Sequence, residues 1–284
     1  MWNEYHLCKE IEESLHLLHR YNGEARVIAG GTDLILEIET GRYQLPALID
    51  ITRISDLQGI TKRGERIFIG AAATFEQVIH SDLIRLHAPH LVTAAQSIAG
   101  RQIRNTATVI GNIVNASPAA DSAPVLYTLD AHVHFIDDRE VAREIPIYQF
   151  ITGVKKTLLP RCGLVTAISF PVSTNGWHTG FRKLGLRWSM AISVVNVALA
   201  LREDDGIIRD ARVAFGAVAP TPVRSTPAEQ VLIGMPLKDA GSSNAPRLAR
   251  SSVSPIDDFR SSAKYRLQMV ENLLRQELFK ISSN

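Results

Sequence analysis

Apolar positions along the chain change their period several times, and each change marks an element. Ile11, Leu15 and Leu18 recur at helical spacing, so residues 9–20 are expected to form an amphipathic helix that Asn22-Gly23 ends. Arg26–Ala29 reads as a short buried strand, followed by a glycine turn and a helix running from Leu34 to Glu39. Gly41 and Pro46 then interrupt, and Ala47–Ile51 is strand-like. Leu57–Thr61 and Arg66–Gly70, joined through Lys62-Arg63-Gly64-Glu65, have the pattern of a hairpin. Thr74, with Gln77 three residues on, predicts a capped helix start, and a long helix is expected to end near Ser97, before Gly100.

The second half alternates with period two more often. Ala131–Ile136 and Gly163–Phe170 are expected strands, and the polar, turn-rich Pro171–Gly176 is the expected domain boundary. Further strands are expected at Gly180–Leu184, Ile192–Leu201 and Ala211–Gly216, with Asp204-Asp205-Gly206 as a hairpin turn between the last two. Gly241–Pro246 and Ser251–Pro255 read as loops. Ala263, Leu267, Val270, Leu274 and Leu278 form one apolar stripe on a final helix. Separated helical and strand segments argue for an α+β fold rather than a doubly wound sheet.

Composition narrows this picture by exclusion. The 284 residues allow two or three subdomains with real cores. The formal charge is +2 with scattered positive residues, which leaves no basic groove for nucleic acid and no patch for a membrane surface. No apolar run approaches the ~20 residues that span a bilayer. Met1-Trp2-Asn3-Glu4 does not open a secretory leader, and Cys8 and Cys162 cannot form a disulfide framework or a cluster site. A cytoplasmic setting is therefore expected.

Two glycine-bearing segments carry the candidate chemistry: Ala29-Gly30-Gly31-Thr32-Asp33 and Thr108-Val109-Ile110-Gly111-Asn112. A strand that turns through glycines into a helix start exposes backbone N–H groups at a positive dipole end, a geometry that suits phosphate. A plain tight turn is the competing explanation of either segment alone. The dinucleotide fingerprint Gly-x-Gly-x-x-Gly is missing, so a bound nucleotide needs another scheme. His132 and His134 share a strand face but lack a third metal ligand. Arg101 and Arg104 are candidate anion contacts, and Cys162 reads as a small hydrophobe.

An ordered series of segments makes a family resemblance specific. Gln102-Ile103-Arg104-Asn105, Thr108 to Asn112, Ala116-Ser117-Pro118-Ala119-Ala120-Asp121 and Leu129-Asp130-Ala131 follow one another at fixed spacing. Met190-Ala191-Ile192-Ser193, Ala217-Val218-Ala219-Pro220-Thr221-Pro222 and Ser262-Ala263-Lys264-Tyr265-Arg266 continue the series. Together they resemble the FAD-binding medium subunit of the molybdenum hydroxylases, above all bacterial xanthine dehydrogenase flavin subunits, over nearly the whole chain. The resemblance implies a vanillyl-alcohol-oxidase-type FAD cradle over residues 1–172, with subdomains at about 1–56 and 57–172. A C-terminal domain of the carbon monoxide dehydrogenase flavoprotein kind would follow over 177–284. It implies an oxidoreductase subunit that passes electrons from a partner's iron–sulfur clusters through FAD to NAD or another acceptor. The partners would be a large molybdenum-cofactor subunit and a small iron–sulfur subunit, in a heterotrimer or its dimer.

The resemblance also assigns residues. Val27, Ile28, Ala29, Gly30, Gly31, Thr32, Asp33 and Leu34, with Thr108, Val109, Ile110, Gly111 and Asn112, would clamp the FAD diphosphate. Asp121 would accept hydrogen bonds from sugar or ribityl hydroxyls, Ile98 and Val165 would touch the flavin ring, and Lys183 would place a cation at its polar edge. No side chain is needed as acid or base, no metal site is implied, and the substrate is set outside this chain. Four departures matter. Ile110 stands where the family usually has the first of two glycines; if that position needs φ > 0 the outlier costs about 1–3 kcal/mol, so either the loop is locally different or FAD binding is weakened. Ile98 stands where some members have an aromatic ring against the flavin, and would pack without stacking. Leu186 and Ala191 replace residues that are often basic and acidic near the flavin edge. Ile110 therefore keeps open a non-redox structural or assembly subunit as the alternative. An independent FAD oxidase lacks any supporting motif.

Overall fold

The computed structural model describes residues 1–173 and 176–283. The N-terminal layer is built from β1 (Trp2–Leu7), α1 (Ile11–Arg20), β2 (Arg26–Ile28), α2 (Leu34–Glu39) and β3 (Leu45–Asp50). Its three strands lie in the order β1-β3-β2, and both pairings are parallel. The central strand β3 is accordingly covered on both faces, with Ala47, Leu48 and Ile49 fully buried. The predicted face of α1 packs inward through Leu15 and Leu18. Asn22 and Gly23, both at positive φ, end it as expected.

A second subdomain starts with the hairpin β4 (Ile60–Arg63) and β5 (Arg66–Gly70), whose turn is tighter than the sequence pattern suggests. The expected long helix is instead three: α3 (Phe75–His80), α4 (Asp82–His87) and α5 (Pro89–Ser97). Ser81 breaks the first join with extended backbone, its hydroxyl accepting from the Ile84 N–H, and Pro89 forbids helical backbone at Ala88. Thr74 and Gln77 form the reciprocal cap that their spacing predicts. Short helices α6 (Arg101–Arg104), α7 (Val109–Val114) and α8 (Ser122–Thr128) follow, then β6 (His132–Ile136), β7 (Ala142–Pro146), α9 (Ile147–Phe150), β8 (Ile151–Gly153), β9 (Lys156–Thr157) and β10 (Leu164–Pro171). The five-stranded sheet has the order β4-β5-β10-β6-β7 and is antiparallel throughout. Ile67, Ile69, Val133, Ile168 and Phe170 fill its inner face, and Phe68 and His134 lie half-buried on the other.

The expected boundary at Pro171–Gly176 falls partly outside the described residues. Beyond it, β11 (Trp177–Gly185), β12 (Ser193–Asp204), β13 (Ile207–Gly216) and β14 (Val223–Arg224) make an antiparallel sheet in chain order. Asp205 and Gly206, both at positive φ, supply the hairpin turn that the sequence marks. α10 (Thr226–Leu232), α11 (Ala245–Ala249) and α12 (Ala263–Ser282) close the fold. Gly241–Pro246 and Ser251–Pro255 are not plain loops, because α11 and two 3-10 turns run through them. The apolar stripe of α12 faces the sheet, and two charged residues share that buried face. Arg266 holds the carbonyls of Val194 and Ala217 (2.9 and 2.8 Å) and the Asp258 carboxylate (2.7 Å). Glu277 accepts from Arg182 Nε at 2.6 Å. Among the described residues, no helix is long and apolar enough to cross a membrane.

One core runs through the first two layers and reaches Phe181, Ala198 and Ala214 of the C-terminal sheet. A second lies between that sheet and the last three helices. The fully buried helix α8 sits where the parts meet, packed against β12 and β13. The fold is thus α+β, and its cleft opens beside that helix start.

Candidate functional site

A cavity of about 570 Å³ runs between the N-terminal layer, the second subdomain and the edge of the C-terminal sheet. Val27 to Leu34 form one wall. The strand β2 ends at Ile28, the chain turns, and α2 does not begin until Leu34, so the turn belongs to neither element. Among the described residues, the N–H groups of Gly30, Gly31, Thr32 and Asp33 have no hydrogen-bond acceptor within the protein. Four consecutive free donors face a cleft, which is unusual for backbone that is not simply solvated. Both glycines have a reason to be there. Gly31 sits at φ +67°, and a β-carbon on Gly30 would collide with the Thr106 carbonyl and the Ala107 backbone. Gly30 is therefore what lets the two turns abut.

The second turn is built differently from its expected role. Thr108 caps α7, its hydroxyl accepting from the Gly111 N–H at 2.9 Å. The Val109 N–H goes to the Ala73 carbonyl and the Asn112 N–H to the Thr108 carbonyl. Most donors of this turn are already committed, so the paired backbone clamp expected from two glycine turns is one-sided. The side chains offered to the cavity are the Thr108 hydroxyl proton and Asn112, whose Oδ1 accepts from Ser122 Oγ and leaves its NH₂ free. Ile110 corrects the sequence expectation outright. It is helical, 4% exposed and packed in the core, with no positive φ, so the residue carries no strain and does not line the cavity. Val109 is likewise core.

Asp121 and Lys183 both reach the cavity, but each faces the other. Lys183 Nζ donates to Asp121 Oδ2 at 2.6 Å and to the Ser97 carbonyl at 3.0 Å. Asp121 Oδ1 accepts from Ser193 Oγ (2.5 Å) and Asn196 Nδ2 (2.7 Å). Three side chains from β11 and β12 thus close on one carboxylate, just before α8, that is 6% exposed. The ordinary cost of burying a charge is met by three donors, one of them the counter-ion Lys183. The expected free acceptor for ligand hydroxyls is in this arrangement an interdomain hub, and Lys183 enters the cavity through it. Ser193 and Asn196 escaped the sequence reading as site residues, although Ser193 lies in a quoted segment.

Ile98 lines the cavity as expected, at the end of α5. The segment beyond it is held by Arg104, whose guanidinium donates to the carbonyls of Ile98 and Ala99 (3.2 Å each) and to Glu76 (3.3 Å). Ala99, at φ +42°, needs that restraint. Arg101 also meets Glu76, at 3.2 Å, so neither arginine is an anion contact in the cavity. Burial works against the Glu76 charge, but the hydrogen bonds from Arg104 and His80 outweigh it and hold the carboxyl below its usual range. Val165 does not reach the cavity: it pairs with Phe135 ahead of a register shift in the β6–β10 ladder and is buried in the core. His132 and His134 are occupied by Glu144 (2.6 Å) and Ser169 (2.7 Å). Cys162 is half-buried, its thiol against the Leu18 carbonyl. Of the departing residues, Ala191 lines the cavity beside Met190 and Ile192, and Leu186 is exposed.

The cavity mouth holds residues with no sequence signal at all. Lys155 Nζ bridges Glu37 (3.2 Å) and Asn115. Arg26 and Arg42 lie over the Tyr43 ring, at 5.2 and 5.7 Å from its centroid. Lys155 and Glu37 are 118 positions apart, beyond the reach of any local pattern.

Comparison with known proteins gives the cavity a context. The family described as FAD binding domain in molybdopterin dehydrogenase matches residues 2–173, and the CO dehydrogenase flavoprotein C-terminal domain matches residues 181–280. The xanthine dehydrogenase FAD-binding subunit of Escherichia coli O157:H7 is 34% identical over 275 residues, covering 96% of this chain and 93% of that one. The carbon monoxide dehydrogenase medium chain of Hydrogenophaga pseudoflava is 28% identical over 278 residues, covering 97% and 95%. A solved structure of carbon monoxide dehydrogenase from that organism superposes with a TM-score of 0.93 at 28% identity, covering 100% of this chain and 98% of its own.

Proposed function

The chain belongs to the FAD-binding medium subunits of the molybdenum hydroxylases, and from that we propose that it carries electrons from a partner's iron–sulfur clusters through FAD to NAD or another acceptor. The carrying observation is the run of free N–H groups from Gly30 to Asp33 in a cavity of ordinary ligand size. FAD's diphosphate is anionic, and unpaired backbone donors at a glycine turn fit it without bulky side chains. Bound FAD supplies the exchange between hydride transfer and single-electron steps.

This chain's own residues then do the holding. Val27 to Leu34 bind the diphosphate through backbone, and Thr108 and Asn112 add side-chain donors from the facing turn. Gly111 keeps that turn tight, since a β-carbon there would press on the Thr108 hydroxyl. Ile98 supplies apolar surface for the flavin ring. Lys183, fixed by Asp121, places a cation at the ring's polar edge and favours extra negative charge there. Val109, Ile110 and Val165 support this wall from the core. The division into residues 1–172 and 177–284, the cytoplasmic setting, and a heterotrimer with molybdenum-cofactor and iron–sulfur subunits belong to the same reading. The reading as a non-redox subunit loses its one motive, because Ile110 sits in unstrained helical backbone.

The test is a visible spectrum of the purified chain after incubation with excess FAD and desalting. Bands near ~375 and ~450 nm at about one flavin per chain are the expected result. Anaerobic bleaching of the longer-wavelength band by NADH supports NAD as the acceptor; a flavin bleached by dithionite but not by NADH points to another one. A chain that retains no flavin, in an assembled complex that also releases no FAD on denaturation, overturns the reading.

A further inference from the structure

The cavity's outer end is closed by charge rather than by packing. Among the described residues, Lys155–Glu37 is the only ion pair that joins residues 1–56 to the second subdomain. It lies at the mouth, where both side chains line the cavity and remain partly exposed, at 32% and 20%. Each partner is held in place by a second contact. Glu37 Oε1 also accepts from Arg42 at 2.8 Å, and Lys155 Nζ also donates to Asn115, just past the end of α7. The Lys155 backbone is constrained as well. Its N–H donates to the Ala116 carbonyl at 2.9 Å, and its φ of +56° is a conformation that a lysine does not adopt without restraint. The turn between β8 and β9 therefore projects a long cationic side chain across the cleft onto α2, the helix that follows the free-amide turn.

On the reading of the cavity as an FAD site, we propose that Lys155, Glu37 and Asn115 form a latch across the cavity mouth that sets how fast the cofactor leaves. Lys155 acts here by joining the two walls, not by touching the diphosphate. The distinction has a physical consequence. A latch depends on opposite charges at positions 37 and 155, whichever side carries which. A phosphate contact depends on positive charge at 155 alone.

The experiment measures FAD release from the chain, by flavin fluorescence after dilution, for the wild-type pair, Lys155→Glu, Glu37→Lys and the double exchange, all four with Arg42→Gln so that a lysine at 37 does not face the guanidinium that shares Glu37 Oε1. Each single reversal should speed release about fivefold, the upper end of the scale of a partly exposed ion pair. The double exchange should return it to within about twofold of the wild-type pair. Fast release from the double exchange, as from Lys155→Glu alone, overturns the latch and makes Lys155 a phosphate contact. A second arm needs no cofactor: hydrogen exchange of amides in residues 31–39 and 150–158 of the FAD-free chain. Both single variants should exchange faster there and the double variant should recover; equal exchange in all four also overturns the latch. If the isolated wild-type chain holds no FAD, the functional reading is decided on the assembled complex, and the exchange arm still decides the latch.

Discussion

Asp121 shows how one residue can be named correctly and understood only from its neighbours. A buried aspartate after a proline turn suits a helix cap or a ligand acceptor, and both readings treat it as local. In the folded chain its carboxylate takes three donors from β11 and β12, including Lys183, 62 positions away. Removing one partner of such a buried pair leaves the other charged and unpaired. Asp121→Ala is therefore expected to lose about 3–5 kcal/mol of stability, read as a lower urea midpoint. It should also leave Lys183 held by the Ser97 carbonyl alone, so flavin retention and stability fall together. Gly30 lies at the opposite limit of legibility: the doubled glycine marks the turn, although the collision with Thr106 that makes it necessary is a tertiary fact.

At the scale of elements, local signals were reliable where both partners lie within one turn. The Thr74–Gln77 cap is such a case, and it starts α3, whose Phe75 lines the cavity. Thr74→Ala should cost about 1 kcal/mol in thermal unfolding while leaving roughly one flavin per chain, because the cap supports the wall without contacting a ligand. The long helix expected before Ser97 failed for a related reason. Ser81 and Pro89 are strong local breaks that the apolar pattern across them conceals. On α12 the period of apolar residues located the inner face, yet Arg266 and Glu277 lie on it too, since a count of hydrophobes passes over charges that find buried partners.

For the whole molecule, titration of one buried side chain links packing to conditions. His90 is fully buried, bonded only through Nε2 to Thr128, and burial pushes its pKa down to about 3. In the unfolded chain it takes up a proton near the ordinary value of about 6.5, so between these values the unfolded state binds more protons. The stability this group allows is fully present above about pH 6.5 and declines as pH falls towards 3, by up to about 1.4 kcal/mol per pH unit. Stability measured from pH 7 to 4 should fall more steeply in wild type than in His90→Leu, by the slope of one proton. Parallel slopes would mean that His90 is protonated in the folded chain.

The sequence by itself determined the α+β class, the order of most elements, the glycine turn suited to phosphate, and the family. Those properties reside in contiguous residues, where period, turn chemistry and ordered motifs act over a few positions. Only the tertiary structure decided which donors of the second turn were already spent, and that Ile110 and Val165 face the core. It alone paired Asp121 with Lys183 and laid Lys155 across to Glu37. Such pairings join segments tens to more than a hundred residues apart. Their energy depends on distance and burial, which no pattern along the chain encodes.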